Sequence, residues 1–447
     1  MRMPADRPEA SFPLGASFPL EASFPLGAAV TVEQLTSDPH PVLRALRAAE
    51  PVSWLPAIGG WLVTRYDLAE QALRDARGFT VDDPRFTTAR VVGPSMLSLD
   101  GPEHRRHRDP FASVFRRGDV SDGLAAFTSA QAGRLVAGLA PDGRAELRRA
   151  LAGPLAVSVM AHVLGLLDTD PAVLLTWYDA IVAGVSALTE ADAAGASATR
   201  AVATAAGGCP ADVRSAARAP VPSAAAAAFG ELRACLEASI SRPGASSLLA
   251  TAAGRSGLTV GEIVSNAAVM LFGGIETTEG MICNAVLYLL DEAGDVAGPG
   301  PGGPLGAVLA DRSLAGSVVE ESLRLEPSAA VVDRFATEDV RLGAAQIHGG
   351  DLVVVSLAAA GRDPAVFPEP DRFDINRLNA RQHLGFALGP HYCVGAQLAR
   401  TEACAAITAL LDQLPGLRLD PDRRSSPRGL VFRKPPALHV LWDRRGP

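Results

Sequence analysis

Residues 383–400, His-Leu-Gly-Phe-Ala-Leu-Gly-Pro-His-Tyr-Cys-Val-Gly-Ala-Gln-Leu-Ala-Arg, constrain this chain more than any other stretch. Gly389 and Pro390 interrupt regular structure. From Val394 onward, Ala396, Leu398, Ala399, Ala403, Ala406 and Leu410 keep an apolar stripe at helical spacing. The pattern predicts a loop that becomes a helix, with Cys393 just before the helix N-terminus. Backbone N–H groups and the positive end of the helix dipole then face the sulfur. Such a site lowers a thiol pKa and favours the thiolate. A buried small hydrophobe, a nucleophile with a histidine base elsewhere, and a soft metal ligand are three uses of a single cysteine so placed.

Phe386, Gly389, His391, Cys393, Gly395 and Arg400 together resemble, in register, the haem-binding signature of the cytochromes P-450. In that family the cysteine is the axial thiolate ligand of the haem iron. The resemblance implies that Cys393 is the metal ligand, with Phe386, His391 and Gly395 as cofactor-binding residues around it. Ala387 departs from the pattern, because the family usually has glycine there. It lies in the bulge that wraps the sulfur, where a methyl group alters the loop without abolishing ligation.

Two further segments gain meaning from the same resemblance. His104 and Arg108 are four residues apart, so on a helix they share a face. Two donors on one face clamp a carboxylate or simply form a solvated basic face. The resemblance assigns them to a haem propionate, with Arg334 and His391 as further propionate partners. Arg105, Arg106, Arg116 and Arg117 then lie near the surface where an acidic electron donor docks. Residues 273–278, Gly-Gly-Ile-Glu-Thr-Thr, sit inside an apolar helix expected over 258–290. The glycine pair costs about 2 kcal/mol against alanine, and Glu276 and Thr277 are awkward in a dry helix interior. Such local violations mark function or a kinked buried helix. The sextet resembles the family's oxygen-binding groove, with Glu276 as the acid and Thr277 as the alcohol of a proton relay.

Glu321 and Arg324, three apart on a helix ended by Pro327, and Arg372 in a later loop match the family's buried structural triad. They are assigned to folding and haem retention. Val269, Gly273, Ile275, Ala330, Val331 and Val431 are candidates for an apolar substrate pocket, roofed by the lid 187–228 and the loop 79–99. Arg90 or Asp333 offers a polar anchor.

The remaining pattern bounds the fold. Residues 1–29 repeat Ala-Ser-Phe-Pro-Leu three times, with a proline in every unit that blocks a continuous helix. They are expected to be a disordered extension, with no bilayer-length apolar run and no signal-peptide core. From about residue 30 to 447 the chain is expected to be one domain, mainly α with small β-sheets (α+β), a triangular helix-rich prism around a buried haem. Expected local elements are a helix over 41–50, strands at 52–55 and 60–65 about a Gly59-Gly60 turn, and a helix over 67–76 capped by Asp67. Further strands are expected near 331–336, 351–357 and 437–442, with a Gly/Pro-rich connector over 291–314.

The net charge of −8 exerts no pull toward nucleic acid or anionic membranes. Five cysteines without framework spacing suit a reducing cytoplasm. The resemblance implies a soluble, monomeric bacterial monooxygenase of specialised metabolism. It uses haem b (iron protoporphyrin IX), dioxygen, and electrons from a ferredoxin and its reductase to oxidise a small to medium apolar molecule. A haem-thiolate enzyme that couples or isomerises without inserting oxygen, and a non-catalytic haem scaffold, are the other classes considered.

Overall fold

The structure, a computed structural model, describes residues 20–112, 115, 122–205, 219–242, 248–255, 257–291 and 303–444. Its strands are β1 (Val52–Leu55), β2 (Gly60–Val63), β3 (Phe79–Thr80), β4 (Arg144–Glu146), β5 (Val331–Ala336), β6 (Val340–Leu342), β7 (Ala345–Ile347), β8 (Leu352–Ser356), β9 (Arg418–Leu419) and β10 (His439–Leu441). They form a five-stranded sheet of order β1-β2-β8-β5-β3, a three-stranded sheet β4-β10-β9 and the hairpin β6-β7. Only β2 and β8 pair in parallel; the other pairings are antiparallel. Helices make up most of the remainder, as the α+β reading expects.

The large sheet is covered on both faces, and the pleat sorts its residues. Trp54, Trp61 and Val63 pack with Leu68, Ala69 and Leu73 of the helix Tyr66–Arg74. Leu55 and Leu62, on the opposite face, pack with Leu43 and Leu46 of the helix His40–Ala49. The expected cap at Asp67 is not formed. The residue before the helix is Arg65, and Asp67 sits in the first turn, where its carboxylate accepts from Arg65 Nε at 2.6 Å.

The expected start of the fold near Val30 moves forward. Residues 1–19 lie outside the described residues, but Leu20–Ser23 and Pro25–Ala28 are helical turns. The third repeat unit seats on the sheet: Phe24 meets Trp61 edge-on at 5.1 Å. Glu50 accepts the N–H groups of Leu26 (2.9 Å) and Gly27 (3.0 Å). A Cβ at Gly27 would fall 2.1 Å from Ser53 Oγ, so only glycine lets this turn approach. Proline does block a continuous helix here, but it sits at the first position of the second turn, where its missing N–H costs nothing.

The helical part is built around Val260–Leu290, 31 residues or about 46 Å long. Thr259 and Glu262 form a capping box at its start. Most of its residues are buried, including Asn266, Glu276, Glu279 and Asn284, as expected of a helix that is apolar nearly all round. The glycine pair has a packing cause on one side only. A Cβ at Gly274 would lie 2.4 Å from Met160 Sδ on the helix Gly153–Leu164, while a Cβ at Gly273 would meet nothing within 4 Å.

The lid region contains the helices Pro171–Ala205 and Ser223–Ile240; residues 206–218 lie outside the described residues. So does most of the 291–314 connector, residues 292–302. Pro171–Leu188 is long and apolar enough to cross a membrane by length and composition. It is 28% buried, through Leu174, Tyr178, Ile181, Gly184 and Leu188 on one helical face.

Candidate haem-binding site

The helix Ala396–Gln413 begins after Gly395, and its buried face carries Ala396, Leu398, Ala403, Ala406 and Leu410. Before it the chain folds back on itself. Cys393 N donates to Phe386 O at 2.9 Å, Tyr392 N to Gly389 O at 3.1 Å, and Ala387 N to Leu384 O at 2.7 Å. The bulge needs left-handed backbone at both Ala387 (φ 55°) and Gly389 (φ 70°). At Gly389 a Cβ would also fall 2.6 Å from Leu73 O.

Ala387 therefore occupies a conformation that disfavours any residue with a Cβ. Ala387→Gly is expected to stabilise the holoprotein by on the order of 0.5–1 kcal/mol, with haem ligation unchanged. Denaturant midpoints of the two proteins check this. A loss instead would show that methyl packing against Leu73 and Leu384 outweighs the strain.

The Cys393 thiol is not the lowered one expected from its place before a helix. Burial pushes its pKa up; the Gly395 N–H, Arg108 and Arg400 pull the other way without offsetting it. The helix starts only at Ala396, so the sulfur feels one backbone donor while the loop removes it from water.

Beside the loop lies a cluster of buried cations and histidines. His104 and Arg108 share the helix Gly101–Ala112, and Arg108 Nη2 donates to Tyr392 O at 2.6 Å. The His104 and His391 rings are 4.4 Å apart. His391 Nε2 is 2.7 Å from Asp100 Oδ1. Burial pushes Asp100 upward, but His391, Thr80 and the Val81 N–H outweigh it and hold the carboxyl at about 2. Burial, with His391 and Arg108 nearby, holds the His104 imidazole down at about 4. His104 Nε2 is buried without a partner among the described residues. Arg334, on β5, is buried, and its Nη1 donates to Asp333 O at 2.7 Å. A buried, partnerless imidazole nitrogen among two arginines fits an anionic group such as a haem propionate.

Glu320 and His383, outside the expected set, join Arg400 in tying this loop down. Glu320 accepts from Arg400 (Nε 2.6 Å, Nη2 3.1 Å) and lies 3.1 Å from His383 Nε2. Arg400 in turn stacks over Phe386 at 4.5 Å. Burial would raise the Glu320 carboxyl; His383 and Arg400 outweigh it and hold it at about 2. A carboxyl depressed in the fold supplies stability that is full above its ordinary value of 4.5 and is lost as pH falls toward about 2. Glu320 is thus expected to contribute about 3 kcal/mol to acid unfolding over that window. Stability measured against pH should fall less steeply there in Glu320→Gln.

The triad needs one correction. Glu321 and Arg324 do pair, fully buried, through Nε and Nη2 at 2.8 Å each. Arg324 Nη1 also donates to Gly361 O and Pro370 O, and Nη2 to Arg372 O. The second arginine on Glu321 is Arg377, with Nε at 3.0 Å. Arg372 instead points out to Glu369, and only its carbonyl enters the cluster. Five residues separate the two arginines in one loop, and their order along the sequence does not tell which turns inward.

Above the site, Thr277 Oγ1 donates to Gly273 O at 2.6 Å, the back-bonding open to a helical threonine. Glu276 is buried and pairs with Lys434 at 2.8 Å, a contact absent from the sequence reading. The six pocket candidates do not form one cluster. Val269 and Ile275 belong to the helical core, whereas Val331 and Val431 pack with Leu43, Leu46 and Leu62. Ala330 N donates to Val431 O at 2.8 Å, which links the two backbones. An aromatic row joins the regions: Tyr178–Phe272 at 6.4 Å and Phe272–Phe432 at 5.6 Å. On the expected donor-docking surface, Arg105 is exposed but Arg106 is engaged by Glu103 and Glu262. Arg116 and Arg117 lie outside the described residues.

The family model for cytochrome P-450 matches residues 307–439, which include the Glu321–Arg324 helix and the cysteine loop. The chain is 33% identical over 441 residues to the cytochrome P-450 monooxygenase PikC of Streptomyces venezuelae, covering 92% of this chain and 93% of that one. It is 32% identical over 431 residues to nocardicin C N-oxygenase of Nocardia uniformis, covering 91% and 96%. The structure of the cytochrome P-450 CYP109Q5 from Chondromyces apiculatus superposes with a TM-score of 0.76 at 27% identity, over 93% of this chain and 98% of that one. Similarity of this extent, running well beyond the cysteine loop, shows that the chain belongs to the cytochrome P-450 family of haem-dependent oxygenases.

Proposed function

We propose that the chain is a cytoplasmic, monomeric bacterial enzyme that hydroxylates, epoxidises or otherwise oxidises a small to medium apolar molecule of specialised metabolism. The folded domain is the unit of function. The cofactor is haem b, held by Cys393 on the iron and by His104, Arg108, Arg334 and His391 on the propionates, with Phe386 and Gly395 shaping the loop. When bound, the haem supplies dioxygen activation, which a thiolate ligand promotes.

The protein's own residues do the rest. Arg400 and Glu320 hold the cysteine loop against the helix that follows it. Thr277 and Glu276 stand one residue apart on the central helix and present an alcohol and an acid for proton transfer. Phe272 and Phe432 supply apolar surface for a substrate, and the space beside Gly273 leaves room for one. Electrons come from a ferredoxin and its reductase, for which Arg105 is an exposed contact.

The observation that carries this reading is His104 Nε2, without a partner among the described residues and buried beside Arg108 and the Cys393 loop. The names of the relatives, a monooxygenase and an N-oxygenase, support oxygen insertion over coupling or isomerisation. The test is dioxygen-dependent NADPH consumption with a surrogate ferredoxin and reductase, in the presence of candidate apolar substrates. Consumption stimulated by a compound that shifts the haem spin state, with oxygen found in the product, is the expected result. Product formed without oxygen insertion would favour a coupling or isomerising enzyme.

A further inference from the structure

Lys434 is the only lysine in the chain, and the fold leaves little of it exposed. Its side chain is 11% exposed, with Nζ 2.8 Å from Glu276 Oε1 and 2.7 Å from Glu279 Oε1. Both carboxylates belong to the central helix, three residues apart on one face. Glu279 has a second cation, Arg148, with Nε at 2.5 Å. Glu276 has no other cation in contact among the described residues; Arg148 reaches it only at longer range. Glu146 and Cys283 complete the titratable groups around this cluster.

The segment that carries Lys434 is held firmly. Arg433 points the other way, into buried Glu326 (2.7 Å) and the carbonyl oxygens of Gly429 (2.9 Å) and Pro427 (3.0 Å). Phe432 lies edge-on against Phe272 of the central helix. Gly280 allows the close approach: a Cβ there would sit 2.1 Å from Ser328 Oγ and 3.4 Å from Lys434 Cβ. An anchored arginine and an aromatic contact thus deliver the ammonium group to a set place between two helix carboxylates.

We propose that Lys434 is a positioning residue that keeps Glu276 ionised and fixed on the central helix, so that this acid is available to accept and pass on a proton. Within ion-pair distance two carboxylates, Glu276 and Glu279, balance two cations, Lys434 and Arg148. Removing Lys434 leaves Arg148 to Glu279 and strands Glu276, and a stranded buried carboxylate takes up a proton. An ammonium with three donors on one nitrogen bridges two carboxylates in a way that a planar guanidinium does not reproduce. The kinetic half of the proposal rests on reading Glu276 and Thr277 as the pair that serves dioxygen; the structural half does not.

The test is infrared spectroscopy of the holoenzyme at neutral pH. Lys434→Met is expected to gain a protonated-carboxyl C=O band over the wild type. The gain should vanish in K434M/E276Q and persist in K434M/E279Q. An unchanged carbon monoxide difference spectrum certifies the folded site, and Lys434→Gln serves if the methionine variant does not fold. With a surrogate ferredoxin and reductase, K434M should slow dioxygen-dependent NADPH oxidation on the order of 10- to 100-fold. Its solvent isotope effect should be larger, and K434R should recover only part of the rate. No new band, or a band that survives E276Q, overturns the proposal. A new band at Glu276 with unchanged kinetics and isotope effect overturns the relay reading alone.

Discussion

Replacing Cys393 with alanine is expected to abolish the strongly red-shifted carbon monoxide band of the reduced holoprotein and, with it, oxygenase activity. The band requires an electron-rich thiolate on the iron, and the loop offers one sulfur there. Of the other described cysteines, Cys283 is fully buried on the central helix and Cys404 lies on the helix behind the loop. In the proposed arrangement His104, Arg108, Arg334 and His391 would hold the propionates without the sulfur, so Cys393→Ala should retain part of its haem while losing the spectral signature. Absorbance of the reduced carbonyl complex, read beside total haem content, separates the two. A wild-type protein that shows a nitrogen-type carbonyl band would instead mean that the strained Ala387 bulge displaces the sulfur. A mutant that keeps the red-shifted band would show that Cys393 is not the ligand.

The second large effect concerns the arginine pair in the loop 368–377. Arg377→Ala is expected to cost about 3 kcal/mol and to reduce haem retention. It removes a buried cation from Glu321 together with hydrogen bonds to Pro368 O, Glu369 O and Arg372 O. Arg372→Ala should cost under about 1 kcal/mol, because its side chain makes one exposed ion pair and the useful carbonyl stays. Denaturant unfolding of the two holoproteins decides between them. Equal losses would mean that the cluster depends on the loop as a whole and not on Arg377.

Much of this protein is legible in its residues. The apolar period from Val394 announces a helix behind the cysteine, and that helix forms. The apolar runs at 52–55 and 60–65 about the Gly59-Gly60 turn announce two strands, and Val52–Leu55 and Gly60–Val63 register in the large sheet. The polar insertion at Glu276 and Thr277 falls inside the long apolar helix, and that helix forms. These features are local, set by the chemistry and spacing of neighbours within a few turns or one hairpin. The motif arrangement likewise points to the family, because residue type and order survive translation into sequence.

What the sequence left open are pairings between distant residues. Arg372 and Arg377 look alike in a flexible-looking loop, and only packing turns one toward Glu321 and the other toward water. Asp100 meets His391 across 291 positions, and Glu320 meets Arg400 across 80. The third Phe-Pro-Leu unit reads as linker until the pocket between Trp61 and Glu50 is built to receive it. The thiol of Cys393 looks activated by its helix until burial is counted against one backbone donor. Local residue pattern carries the likeness to the family, the helix behind Cys393 and the strands near 52–55 and 331–336. The tertiary structure decided which charges are neutralised and by whom, because desolvation and ion pairing depend on three-dimensional distance, which spacing along the chain does not record.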